Sequence, residues 1–494
     1  MHCLKYLKLT GVIASMLAIG GCSADREYEP GSAVTEDGPK LFVSFWVSQT
    51  ADGTSASSRG ATRASGDASE SVERNEANLK SVVGLLVDAD NNRIMGVASG
   101  AKVTIYPDGT GLTSRVVLNM GSANFYEREH KYRLYLVANA ASISPTLNAS
   151  QGKNIGELGN TIMGLSSFKY SALEESTNPG LAMSTVDADA LKVKVWLEEN
   201  GDYSSEEKAY VAEFENSADN DSGKEAILNL TPLYGVLSFA DDDYSHYITY
   251  KQVDGAKEVE KTEVKVVFKN ATVKRAANSA YLMPQGSVSE FSIKSPHSAT
   301  PSVSVANISV GKGKFAYVPE YIPTITDNKL LYNQVTYLEL DGILAVDDKC
   351  TEIDGDVISA ITRSATSSTG LPTLYYYDDG KFQSGLTVKS HAGEAGWHAI
   401  AYDSTLKGYK VTYRHAIRHD AGEGKNLDDA IYHQLEYGIV RNYLYEIGIN
   451  SVSALPHPFK ESDEIESNRK DISLRIVPPA KWTYHRGGSI IEFQ

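Results

Sequence analysis

The chain has 494 residues, a formal net charge of −16 and three cysteines, Cys3, Cys22 and Cys350. That acidity argues against nucleic acid and anionic membrane surfaces as partners. The cysteine count excludes a disulfide scaffold, so core burial must hold the exported chain together, over a length that fits two or three domains of ~150 residues.

In chain order, residues 1–21 read as a secretion signal. Lys5 and Lys8 precede the apolar run Leu9–Ile19, which is too short to span a bilayer and has the length of a signal core. Ile19-Gly20-Gly21-Cys22 resembles a lipobox, which makes Cys22 the lipidated first residue. No later segment is apolar enough for a transmembrane helix, so membrane attachment is expected only through the lipid of the precursor. Cys350 is expected to be buried.

Leu41–Val47 follows as an apolar strand. Leu41, Val43, Phe45 and Val47 share one face, and Phe42 and Trp46 stand on the other. A strand apolar on both faces calls for burial inside a sandwich. Taking it away would leave a groove with unpaired edges, a template for another strand. Ser48–Arg63 is a Ser/Thr/Gly/Ala tract carrying Arg59 and Arg63, the only basic residues between Lys40 and Arg74. Such tracts stay flexible and open to proteases. On the residues alone the tract reads first as a passive tether holding a lipoprotein off its membrane, slightly ahead of a cleavage site.

From there period-2 segments dominate: Val82–Val87, Ile94–Val97, Lys102–Tyr106, Tyr132–Ala138, Lys192–Leu197, Ala226–Leu230, Val236–Ala240 and Val264–Asn270. A second block adds Phe315–Pro319, Thr336–Leu344, Leu374–Tyr377, Trp397–Ala401, Tyr409–Tyr413 and Ile447–Val452. Short strands bounded by Gly, Asn, Asp and Pro indicate β-sandwiches. The 29 tyrosines against 12 phenylalanines suit half-buried strands. Leu427–Val440, capped by Asn426, is the expected helix, and the Ser/Thr-rich stretch Ser359–Gly370 is expected to be a loop. Pro456-His-Pro458 stops the last strand of the block. The polar stretch Glu461–Lys470 then acts as a linker. Ile472–Val477 places Ile472, Leu474 and Ile476 on one face, and Ser489–Phe493 closes the chain after Trp482.

No pattern marks a catalytic centre. Asp88-Ala-Asp90-Asn91-Asn92 opens like a calcium loop but lacks the glycine and terminal acid such loops need, and reads as a hairpin turn. His415 and His419 are four apart in an extended stretch, which separates them as metal ligands. There is no nucleophile elbow, zinc-protease motif or phosphate loop. The chain is therefore read as a structural or binding protein, not an enzyme, with no metal or cofactor.

Four segments together resemble the fimbrillins of Bacteroidetes, the subunits of Porphyromonas-type (type V) pili. Lys131-Tyr-Arg-Leu-Tyr-Leu-Val-Ala-Asn-Ala140 resembles their tyrosine-rich strand ending in Ala-Asn. Gly180-Leu-Ala-Met-Ser184 resembles their Pro-Met-Ser/Gly step. Tyr413-Arg-His-Ala-Ile-Arg-His-Asp420 resembles their Tyr-x-x-Pro-Ile-Arg-His stretch, with Ala416 in place of proline. Tyr437-Gly-Ile-Val-Arg-Asn-Tyr-Leu-Tyr445 resembles their Gly-Val-Val-Arg-Asn-x-x-Tyr signature, and one departure is Glu320-Tyr321, where relatives often carry Glu-Asn. The likeness is closest to the stalk subunit of the short fimbria.

The resemblance implies an all-β fold: two transthyretin-like β-sandwich lobes with few short helices and a C-terminal donor-strand tail. It divides the chain into signal 1–21, propeptide 22–63, an N-terminal lobe 64–270, a C-terminal lobe 271–460 and a tail 461–494. It implies an outer-membrane lipoprotein precursor cut by an arginine-specific protease at Arg63–Ala64, with Arg59–Gly60 as second choice. The removed strand is that of Leu41, Val43, Phe45 and Val47. The donor strand carries Ile472, Leu474, Ile476, Trp482, Ile491 and Phe493. Implied partners are identical subunits, anchor and tip subunits, the protease, and host or bacterial surface receptors, with the mature form extracellular and serving adhesion and biofilm formation. A tip or anchor fimbrillin with an adhesive role, and a surface lipoprotein that binds glycan, are the alternatives.

Overall fold

The computed structural model describes residues 40–48, 330–350, 353–419, 437–465, 471–476 and 480–481, and most of 78–323. The N-terminal strands are β1 (Lys40–Ser48), β2 (Val82–Asp88), β3 (Ile94–Ser99), β4 (Val103–Pro107), β5 (Thr113–Ser122) and β6 (Tyr132–Ala138). Then come β7 (Ile162–Gly164), β8 (Phe168–Lys169), β9 (Met183–Ser184), β10 (Val193–Lys194), β11 (Tyr210–Val211), β12 (Glu213–Phe214), β13 (Ile227–Asn229) and β14 (Thr231–Pro232). The long central strands are β15 (Tyr234–Phe239), β16 (Ser245–Asp254) and β17 (Lys257–Lys274), followed by β18 (Ser279–Tyr281), β19 (Ala306–Ser309), β20 (Phe315–Pro319) and β21 (Tyr337–Ala345). The chain closes through β22 (Leu374–Tyr377), β23 (Trp397–Ile400), β24 (Tyr402–Asp403), β25 (Gly408–Ala416), β26 (Tyr443–Val452), β27 (Ile472–Ile476) and β28 (Ala480–Lys481). The protein is all-β with few short helices, as the alternating pattern requires.

Two large hydrophobic cores organise these strands. The first lies between a sheet ordered β11-β1-β5-β4, with β13 also on β1, and a sheet ordered β14-β9-β6-β2-β3. Leu41, Val43, Phe45 and Val47 meet Leu85, Leu118, Leu134 and Leu136 there. The β2–β3 connection is the expected hairpin turn: the Asp88 carboxylate accepts from the Asp90 amide at 2.8 Å, and Asn92 takes φ 61°. Asp88 Oδ2 also lies 3.2 Å from His130 Nε2, so this carboxylate serves the turn and a neighbouring side chain.

The second core belongs to a larger sheet ordered β24-β25-β21-β17-β16-β26-β15-β20-β8, with β19 on β17 and both β27 and β28 on β26. Leu237 and Val318 from one end of that order share a core with Leu338 and Val411 from the other, so the sheet folds over on itself. The expected division at 270/271 falls inside the continuous strand β17. The cores are instead handed over along β15, where Tyr234 and Val236 join the first and Leu237 and Phe239 the second. Ala280–Met283 then returns to the first core.

Three expectations are corrected in whole or in part. Gly355–Ser364 is an α-helix, so the loop expected at Ser359–Gly370 begins inside it. Val357, Ala360, Ile361 and Ser364 form its buried stripe, and this apolar spacing outweighs the local Ser/Thr content. Most of the helix expected at Leu427–Val440 lies outside the described residues, and Tyr437–Val440 is not α-helical. Glu461–Ile465, expected as linker, is docked: Tyr332 N donates to Asp463 O at 3.0 Å, Ile465 N donates to Leu330 O at 3.0 Å, and Ile465 is buried.

Two buried polar centres fix the joints. Asn139, at φ 55° and 3% exposed, accepts from the amides of Lys80 (2.8 Å) and Ser81 (3.2 Å) and donates to Asn78 O and Leu181 O, both at 2.9 Å. It thereby anchors the point where the chain enters β2. Gly180 makes room for it, since a Cβ there would come within 2.5 Å of the Asn139 amide. Arg441 and Glu320 are 4% and 1% exposed, and two guanidinium N–H groups converge on one carboxylate oxygen, Nη2 to Oε2 at 2.7 Å and Nε to Oε2 at 3.0 Å, with the Arg441 backbone amide 3.4 Å from Oε1. Arg441 also donates to Tyr281 O (2.6 Å) and Leu282 O (3.2 Å), which ties the second lobe to the segment that returns to the first. Asn442, at φ 61°, donates its amide to Tyr234 O at 2.8 Å.

A buried charge that loses its partner is more costly than the pair is valuable. Arg441→Ala should therefore lower unfolding free energy by about 3–5 kcal/mol in denaturant melts. A joint Arg441→Met, Glu320→Leu variant should recover most of the loss.

Candidate functional site

The site is the seat of β1. This strand lies inside its sheet, bonded on both edges. It runs antiparallel to β5, with Phe42 opposite Asn119, Ser44 opposite Val117 and Val47 opposite Ser114. On its other edge it runs parallel to β11 (Val43 with Tyr210) and to β13 (Trp46 with Ile227, Val47 with Leu228). Leu41 and Val43 are 0% exposed and Phe45 and Val47 are 2% exposed, all aimed into the first core. Four such side chains contribute on the order of 6–12 kcal/mol at ~1.5–3 each, an upper estimate because unfolded chains already bury some area. The outer face is half-buried at Phe42 and Trp46.

Empty of β1, the seat would be a slot between the edges of β5 and β13. Its floor would take apolar side chains at every second position, and its walls would offer unpaired backbone groups. Another strand running antiparallel to β5 meets both demands. The four predicted residues of the removed strand thus converge on one place. Sequence reading missed β5 as the principal wall, and the parallel partners β11 and β13 carry no local signal that they pair with β1.

The tail begins beside the second core. β27 pairs antiparallel with β26 of the same chain, Ile472 opposite Val452, Leu474 opposite Ile449 and Ile476 opposite Ile447, and β28 continues on that edge. Ile472 is 3% exposed and joins the core. Asp471 is buried at the root of the strand: its carbonyl accepts from Ser453 N at 3.0 Å and its carboxylate from His457 N at 3.2 Å. Tyr413 and Tyr376 donate to Ala454 O (2.9 Å) and Pro456 O (2.6 Å), holding the same turn. Burial first, then the Asp471, Tyr376 and Glu263 charges, push the Tyr413 hydroxyl well above its ordinary range. Ile472 is therefore seated in the core of its own lobe, and Leu474 and Ile476 are backbone-paired with β26 of the same chain. Cys22, Arg59, Gly60, Arg63, Ala64, Trp482, Ile491 and Phe493 lie outside the described residues.

Glu263 is the extra residue of a β-bulge, skipped between the pairs Ile248–Val264 and Thr249–Thr262. It is 3% exposed; Oε1 accepts from Phe382 N at 2.8 Å, and Oε2 has no hydrogen-bond partner among the described residues. Desolvation pushes its carboxyl up to about 7. His415 and His419 have separate partners, Ala416 O at 2.7 Å and Tyr445 Oη at 2.9 Å. Cys350 is buried, and that burial pushes its thiol up.

No family profile and no curated protein matches the sequence. Among solved structures the chain is similar to a candidate cell adhesion protein from Parabacteroides distasonis ATCC 8503, with 12% identity, coverage of 90% of this chain and 99% of that one, and a TM-score of 0.46. It is also similar to the C-terminally truncated tip fimbrial protein Mfa3 from Porphyromonas gingivalis, with 10% identity, 89% and 99% coverage and a TM-score of 0.34. A fimbrial assembly protein from Parabacteroides distasonis covers 63% of this chain and 97% of its own, at 11% identity and a TM-score of 0.27. These are coarse likenesses.

Phe45→Ala should destabilise the uncut precursor by about 3–5 kcal/mol in denaturant melts, because it opens a cavity between the two sheets. Glu263 binds its proton more tightly folded than unfolded, so its contribution is present below the ordinary carboxylate range and lost as pH rises through about 7. Glu263→Gln keeps the acceptor for Phe382 and should be close to neutral at pH 4. At pH 8 it should stabilise by about 1–3 kcal/mol, read from melts at the two pH values.

Proposed function

We propose that this chain is the stalk subunit of an extracellular fimbria, exported as a lipoprotein precursor through Cys22 and activated by an arginine-specific protease. A cut after Arg63, or after Arg59, separates β1 from the fold it completes. A second copy's C-terminal tail then takes the seat between β5 and β13, and repetition builds the polymer. The observation that carries this reading is the position of β1. A fully inserted strand, apolar toward the core, stands immediately before a Ser/Gly/Thr tract that carries two isolated arginines. The four fimbrillin-like segments support it.

The energetics fit an exchange. While tethered, β1 faces its seat at an effective concentration on the order of mM. Cutting leaves the buried contacts unchanged but removes that concentration, so a departed strand is diluted and a neighbour's strand can replace it. The donor lies within Asp471–Gln494. Since β27 and β28 pair with β26 of the same chain, we assign Trp482–Gln494, with Trp482, Ile491 and Phe493, as the inserting part and β27 as its root.

The test uses purified precursor and an arginine-specific protease, with N-terminal sequencing and electron microscopy. The wild type should be cut between Ser57 and Asn75 and form fibres. The Arg59→Ala, Arg63→Ala double variant should stay lipidated, uncut and monomeric. A chain ending at Lys481 should be cut and folded yet monomeric. Fibres from either variant would contradict the reading.

A further inference from the structure

The outer face of the β1 sheet carries a feature the exchange itself does not require. Ser44 on β1, Val117 on β5 and Thr104 on β4 stand in one row across the sheet. None points into the first core, where the inward positions are Val43, Phe45, Val116 and Leu118 on β1 and β5 and Val103 and Ile105 on β4. Yet Ser44 is 6% exposed and Val117 is 1% exposed. An outward row this dry needs a cover.

Ser205–Ala209, with a 3-10 turn at Glu206–Lys208, lies against β1 and leads into β11. Its Glu206 carboxylate reaches past β1 and β5 to the far strand, accepting from Thr104 Oγ1 at 2.8 Å and Tyr106 Oη at 2.6 Å. β11 and β4 are three strand spacings apart, ~14 Å, and the four steps from Glu206 to Tyr210 span about 13 Å when extended. The 3-10 turn at Glu206–Lys208 makes the backbone shorter than that, so the Glu206 side chain, met by Thr104 and Tyr106, spans the rest of the distance across the outer face of the sheet. Arg115 completes the arrangement: its Nε donates to Ser44 Oγ at 2.9 Å, and its guanidinium lies 5.5 Å from the centre of the Tyr106 ring. The hydrogen bond from Tyr106, then that from Thr104, hold the Glu206 carboxyl below its ordinary range.

We propose that Ser205–Ala209 is a latch over β1, closed by Glu206 on Tyr106 and Thr104, which must lift before β1 can leave its seat. The latch rests on the strand-exchange reading and adds its regulation. Cutting the linker is then insufficient for rapid exchange, and the rate is set on the outer face of the sheet. Hydrogen bonds to a charged acceptor are stronger than neutral ones, but Tyr106 is 42% exposed and water competes there. The latch is thus a hold that thermal motion opens.

The experiment cuts full-length precursor with an arginine-specific protease and chases it with an excess of isotope-labelled synthetic peptide spanning Lys40–Ser48. Native mass spectrometry follows the label entering the cut protein. Glu206→Ala, and separately Thr104→Val with Tyr106→Phe, should each speed uptake about tenfold, as expected for losing hydrogen bonds to a charged acceptor. Combining them should add little further, since both open the same contact. Denaturant melts of the uncut variants should show the folding constant falling by no more than that same tenfold, and a larger fall accompanying the faster uptake would overturn the latch in favour of general loosening. Uptake by the wild type at the same rate as all variants would overturn the latch alone. No uptake by any of them would overturn the latch and the exchange reading together.

Discussion

The core of the first lobe depends on one insertion: β1 is bonded along both edges and fills the core between two sheets. It is the first described strand of the chain, and residues 49–77 separate it from the next described segment. Its burial makes it a structural necessity, and a cut within residues 49–77 would make it separable. A strand at the end of a sheet could be lost with only its edge pairing. Losing this one leaves unpaired groups on β5, β11 and β13 at once, with an apolar floor between them. Such a slot calls for another strand of similar alternation, and in the proposed assembly that demand would link a cut in one molecule to the tail of another.

The remainder of the lobe is fastened by groups that do not involve β1. Asn139 grips the chain at Asn78–Ser81, downstream of the proposed cut, so the new N-terminus stays attached where β2 begins. Arg441 and Glu320 lock the second lobe to Tyr281 and Leu282. These centres give physical content to two of the fimbrillin-like segments. The Ala-Asn ending is a left-handed asparagine that satisfies four backbone groups. The Arg-Asn step is a buried ion pair followed by a second left-handed asparagine. The polymer would then inherit rigid joints and renew only the exchanged strand.

The inward face of β1 was legible because Leu41, Val43, Phe45 and Val47 alternate without interruption. β2, β3 and β6 were legible for the same reason. β5 was missed although Val116, Leu118 and Met120 alternate, because Arg115, Asn119 and Gly121 dilute the pattern. The helix at Gly355–Ser364 was missed because Ser359, Thr362 and Ser364 mask its apolar stripe, and because its N-cap Asp354 gives its carboxylate to Gly385 N at 2.6 Å and not to its own first turn. Glu263 lies in a run rich in Lys and Glu that gives no sign of burial, and the bulge turns it inward. Glu206 sits among acids that look solvated, and its reach to Tyr106 depends on a crossing that no local pattern encodes. Pairing between β1 and residues 210–229 is likewise a tertiary fact.

The central claim is that the strand between β5 and β13 is replaced on assembly. Electron cryo-microscopy of fibres grown from cut protein tests it most directly. The account expects side-chain density in that slot to trace to a neighbour's C-terminal tail, running antiparallel to β5 and parallel to β13. Density in the slot that traces to Lys40–Ser48 of the same subunit would contradict it.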